Sequence, residues 1–104
     1  MSSQNLYKLF STNPVEYNMD SLKAKLSIAL VEVIRERKWN QCKAAYHLQT
    51  TQPRISNLVQ GRLERFTIDS ILKMWVCAGY KIDLDFDPLD HKCPITVYLK
   101  RSSL

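Results

Sequence analysis

Apolar residues recur along this chain first at helical and then at strand spacing, and the change falls near Gly79. From about Asp20 to Lys38, Leu22, Leu26, Ala29, Leu30, Val33 and Ile34 keep to one helical face, which predicts a long amphipathic first helix. Ile28 and Val31 fall off that stripe, so a second face of the same helix is expected to be covered, by the N-terminal leader or by another subunit. Residues 1–18 form that leader: a short apolar cluster, Leu6, Tyr7, Leu9 and Phe10, then the loop-like run from Ser11 to Pro14. Both a docked arm and a partly ordered tail fit it.

The segment from Gln41 to Gly61 has the spacing of two short helices held by a tight turn. Ala44, Ala45 and Leu48 share one inward face of the first, and the paired alanines are small enough for a second helix to cross closely. Ile55, Leu58 and Val59 are the matching inward face of the second. Between them lie Gln49, Thr50 and Thr51, with Thr51 placed to cap the second helix, Pro53 in its first turn and Gly61 at its end. Thr51, Gln52, Arg54 and Asn57 are then left outward, and their side chains can read base edges in a major groove.

Downstream, Thr67 caps a helix whose inward face is expected to be Ile68, Ile71, Leu72, Trp75 and Val76, with Phe66 as an apolar staple before the cap. Past Gly79 the period becomes two: Tyr80, Ile82, Leu84 and Phe86 alternate with Lys81, Asp83, Asp85 and Asp87. Ile95, Val97 and Leu99 alternate in the same way, after a loop carrying two prolines. These patterns predict a mostly α fold: a leader over 1–18, a helical bundle over 19–79 and a C-terminal two-stranded β-ribbon over 80–104. Two strands alone are marginal in water, so the ribbon is the expected dimerisation element.

Length and charge sharpen this picture. A chain of 104 residues with a 45% hydrophobic fraction suits one soluble domain, and no run approaches a membrane span, so a cytoplasmic protein is expected. The net charge of +5 sits entirely within residues 35–65, where seven Lys/Arg face only Glu36 and Glu64. A basic block laid over such a helix pair is the footprint of phosphate binding, and Gln41, Lys43, Gln60, Arg62 and Arg65 stand at the helix ends and following loop where phosphates would lie.

Enzyme chemistry finds no foothold. Asp83, Asp85 and Asp87 share one side of a strand, but Pro88 replaces the glycine of a calcium loop and no glutamate closes it. His47 and His91 are not spaced with any cysteine as zinc ligands, and no phosphate loop or nucleophile elbow occurs. Cys42, Cys77 and Cys93 are odd in number and far apart, which reads as reduced thiols. No metal or cofactor is expected.

The string Q-x-x-A-A-x-x-L-x-x-x-Q-P-R-I-S-x-L-x-x-G, followed by RLERFTIDSIL, resembles the lambda-repressor-like (XRE/Cro) helix-turn-helix family, and within it the HigA-type antitoxins and small regulators. The resemblance runs from about Asp20 to Phe86. It implies that Gln41 and Gln52 match the two glutamines that open the paired helices, the first supporting the second at DNA. Trp39 and Asn40 depart from the usual pattern, so the corner between the first two helices is expected to differ. The resemblance further implies a homodimeric repressor of double-stranded operator DNA, with a RelE/HigB-like toxin as protein partner. The alternatives are a stand-alone or phage-derived regulator, and an interaction module that mainly neutralises a toxin.

Overall fold

Asn13 starts the first helix earlier than the apolar stripe suggests. In the computed structural model, which describes residues 13–102, its side chain accepts hydrogen bonds from the N–H groups of Val15 and Glu16, and Pro14 occupies the first turn, where a missing donor costs nothing. Helix α1 therefore spans Pro14–Glu36, about 35 Å long, and the expected leader boundary at residue 18 falls inside it. The leader's apolar cluster, Leu6 to Phe10, lies outside the described residues.

Leu30, Val33 and Ile34 are buried as expected, joined by Val31 from the second face. Leu22 and Ala29, expected on the inward stripe, are exposed, so the stripe is buried only toward the C-terminal half of the helix; Ile28 is exposed as well, so only part of the second face is covered. After Arg37 the chain turns through Lys38, a non-glycine residue at φ 58°, and Asn40 caps α2 (Gln41–His47) by accepting from the Lys43 N–H at 2.7 Å. The corner thus has a distinct shape: the Trp39 ring stacks on His47 at 4.3 Å, and the Arg37 guanidinium lies over the Trp39 ring at 5.2 Å.

Helix α3 spans Gln52–Val59, and a short 3-10 turn, Leu63–Arg65, leads from it to α4, Ile68–Cys77. Thr67 and Ser70 close a reciprocal capping box on α4, and Phe66 is buried just ahead of it. The inward face of α4 keeps Ile71 and Trp75 of the expected set but completes it with Met74 and Ala78 in place of Ile68, Leu72 and Val76. Val76 is 53% exposed and Ile68 and Leu72 are half-buried, because the i, i+3, i+4, i+7 row from Ile71 is rotated away from them. Val59 is also exposed, so the buried face of α3 consists of Ile55 and Leu58.

Leu30, Leu48, Ile55, Leu58 and Ile71 are the fully buried large side chains of one continuous core, each worth about 1.5–3 kcal/mol of transfer free energy. Three polar tethers tie α1 to α4 around it. Trp75 Nε1 donates to the Leu26 carbonyl at 3.1 Å, Lys23 Nζ to the Phe66 carbonyl at 3.1 Å, and Arg37 Nη1 to the Ala78 carbonyl at 2.6 Å.

The ribbon is antiparallel, β1 (Tyr80–Phe86) with β2 (Ile95–Arg101), in a register that sets Ile82 opposite Leu99, Leu84 opposite Val97 and Phe86 opposite Ile95. All expected apolar positions therefore share one face. Tyr80 and Leu99 pack against the core, whereas Leu84, Phe86, Ile95 and Val97 are each more than half exposed.

Candidate nucleic-acid interface

The helix pair is built by its caps and its small inner face. Ala44 and Ala45 are buried, which lets α3 seat Ile55 and Leu58 against the core. The turn is made by Gln49 at φ 55°, and Thr51 caps α3 by accepting from the Arg54 N–H at 3.4 Å. At the other end Gly61, at φ 77°, takes the left-handed position that terminates the helix.

With Ile55 and Leu58 inward, the helical period turns Pro53, Ser56, Asn57 and Gln60 away from the core and leaves Gln52 and Arg54 on the flanks. The predicted base readers are thus not equivalent. Gln52 is exposed. Thr51 is exposed, but its hydroxyl is already engaged in the cap. Asn57 is half-buried, and its side-chain oxygen accepts from Arg62 Nη1 at 3.5 Å. Arg54 is half-buried with its guanidinium over the Phe66 ring, at the rim of an open groove of about 640 Å³ that runs between the turn and α4 past Gln49, Asp69 and Lys73.

Ser56 belongs with this row, beside the four base readers expected from the sequence. The same period that selects Asn57 selects its neighbour, and Gln60 Nε2 donates to Ser56 Oγ at 2.9 Å. Pro53, exposed at the second position of α3, is the other addition to it.

The basic block divides by what each cation already does. Arg35 is paired with Glu32 at 2.7 Å, and Arg37 is held by the Ala78 carbonyl and the Trp39 and Tyr80 rings. Lys43, Arg54, Arg62 and Arg65 form no ion pair with any described residue. Three of these, Lys43, Arg62 and Arg65, are exposed, as is Gln60, while Gln41 is half-buried at the start of α2. Arg62 precedes the 3-10 turn that follows α3, and Arg65 is its last residue. Of the cations without an ion pair to a described residue, Arg54, Arg62 and Arg65 lie at the two ends of α3, Lys43 in the first turn of α2 and the exposed Lys38 between α1 and α2, whereas the two arginines tied up in structure lie at the end of α1.

No helix among the described residues is long and apolar enough to cross a membrane. Among curated proteins none matches the chain. A family model described as a helix-turn-helix domain matches residues 10–87. Since that match covers well over half of the chain and contains the capped α2–α3 pair, the chain belongs to the helix-turn-helix domain family.

Proposed function

We propose that the chain is a sequence-specific DNA-binding transcriptional regulator, a cytoplasmic repressor without enzymatic activity that binds double-stranded operator DNA as a homodimer. One observation carries this reading: α3 presents a polar outward row, and the cations at its two ends, Arg54, Arg62 and Arg65, form no ion pair with any described residue. Each such cation placed on a phosphate releases condensed counterions, which supplies sequence-independent affinity. Side chains of the row then discriminate bases, with Arg54 suited to guanine and Gln52 or Asn57 to adenine. A single recognition helix covers a half-site, so two copies presenting α3 about 34–36 Å apart complete the operator.

The test is selection of duplexes from a random library with the full-length protein, followed by footprinting. A palindromic consensus protected over two successive major grooves supports the reading. Retention of all sequences equally would sink it.

A second reading, neutralisation of a RelE/HigB-like toxin, is favoured by a different surface. Val15, Met19 and Leu22 form an exposed apolar stripe at i, i+4, i+7 on the N-terminal half of α1. Copurification with a RelE/HigB-like toxin that is lost on Met19→Glu, with operator binding intact, would support it. Stable copurification with the Met19→Glu protein would remove that stripe from consideration.

A further inference from the structure

The two edges of the ribbon are not alike. Just beyond the ends of the paired strands, Asp87 N–H donates to the Pro94 carbonyl at 2.7 Å and Ser102 N–H to the Gly79 carbonyl at 2.8 Å, both on the same register as the strands. Hydrogen-bonded pairs alternate in an antiparallel ladder, so they fall at Lys81–Lys100, Asp83–Tyr98 and Asp85–Thr96. The backbone groups of Ile82, Leu84 and Phe86 on β1, and of Ile95, Val97 and Leu99 on β2, consequently point to the two outer edges.

On β1 that edge is blunted. Asp83 Oδ1 accepts from the Leu84 N–H at 2.9 Å, and Lys100 Nζ holds the same carboxylate at 3.3 Å. A two-fold pairing of β1 with its own copy would also set carboxylate against carboxylate, Asp83 facing Asp83 or Asp85 in the central registers, which is unfavourable across strands. Among the described residues the β2 edge carries no such block, and the side-chain contact on it is the Cys93 thiol, 3.7 Å from the Ile95 carbonyl, a weak donor that a strand amide displaces.

We propose that a second copy of this chain pairs along the outer edge of β2, antiparallel about a two-fold axis at Val97, making a four-stranded sheet in the order β1-β2-β2-β1. This rests on the homodimer reading above and names its interface. In that register Ile95 faces Leu99 of the other copy, Val97 faces its own counterpart, and Thr96 faces Tyr98, so apolar meets apolar and no like charges oppose. The exposed side chains of Leu84, Phe86, Ile95 and Val97 from both copies then form one continuous apolar face. Self-pairing of one edge closes a dimer, while the blunted β1 edges end the sheet and prevent further growth.

The experiment uses the full chain at micromolar concentration, with sedimentation to establish its state and amide hydrogen exchange to read each edge. A dimer in which Ile95, Val97 and Leu99 exchange on the order of a hundredfold more slowly than Ile82 and Phe86 is the expected result. In a background with Cys42, Cys77 and Cys93 replaced by Ser, Val97→Cys should crosslink into a covalent dimer under mild oxidation and Leu84→Cys should not. A dimer whose β2-edge amides exchange as fast as those of β1, or one that crosslinks through Leu84→Cys alone, overturns this interface and leaves the homodimer standing. A monomer that still protects a full operator overturns the homodimer reading, and the interface with it.

Discussion

The Arg54 guanidinium lies 4.7 Å from the centre of the Phe66 ring, and that ring is buried beside the cap of α4. The arginine best suited to guanine therefore begins from a contact within its own protein. A cation–π contact of this kind is worth about 0.5–1 kcal/mol, less than the roughly 1–3 kcal/mol of discrimination from a bidentate guanine contact. Release onto a base is the favoured outcome. Arg54→Ala should cost about 1–3 kcal/mol on the selected operator and relax preference at one base pair, with binding to random duplex nearly unchanged. Equal losses on both duplexes, measured by titration at fixed salt, would contradict the assignment.

Arg62 and Arg65 are exposed and form no ion pair with any described residue. Replacing either with Ala should weaken specific and random binding alike and reduce the slope of log K against log salt by about one unit. A slope identical to that of the parent protein would take the residue off the phosphate surface.

Ala45 is buried on the inner face of α2, where α3 packs. Ala45→Leu should overpack that crossing and destabilise the fold by roughly 1–3 kcal/mol, which for a domain of this size lowers Tm by several degrees. Thermal denaturation followed by circular dichroism decides it, and an unchanged Tm would mean that the crossing has room to spare.

Asp83 offers a pH test of the ribbon. Its carboxyl is held below the ordinary carboxylate range, first by the hydrogen bond from the Leu84 N–H and then by that from Lys100. Since the folded value is depressed, this contribution to the ribbon is present above the unfolded value of about 3.9 and is lost as pH falls through the folded value. Lys100 titrates upward, chiefly through the same carboxylate, so its share is present below its ordinary value and fades as pH rises through the raised one. The Leu84 amide resonance should titrate with a midpoint below that of an unperturbed aspartate, and Asp83→Asn should abolish the transition. A midpoint at or above the ordinary value would show that the carboxylate does not cap the strand.

Much of this architecture is legible in the sequence because its punctuation is chemical. Thr51, Pro53, Gly61 and Thr67 each mark a helix end through a side chain or a backbone preference, and each stands in the structure where that chemistry requires. The ribbon follows from strict alternation at Tyr80 to Phe86, which only one pairing face can satisfy. The inner face of α4 was less legible because apolar residues occupy almost every position from Ile71 to Ala78, leaving periodicity no contrast with which to choose Met74 over Val76. The early start of α1 was hidden because an asparagine followed by proline reads equally as a turn or as a capped first turn. At the candidate site, position on the helix could be deduced, but side-chain commitment could not. Nothing in the linear order places Phe66 beneath Arg54 or Ala78 against Arg37.

The tethers from Trp75, Lys23 and Arg37 carry a consequence for portability. The α2–α3 pair owes its inner surface to α1 and α4, which are themselves fastened to each other by bonds spanning 41 to 49 residues of sequence. A peptide cut from Gln41 to Gly61 would bare Ala44, Leu48, Ile55 and Leu58 to water and forfeit the packing on which short helices depend. Transplanting the base readout proposed for this protein into another scaffold therefore means moving the outward side chains of α3 onto a host helix that already has such a cradle, since the helix pair cannot travel as a cassette.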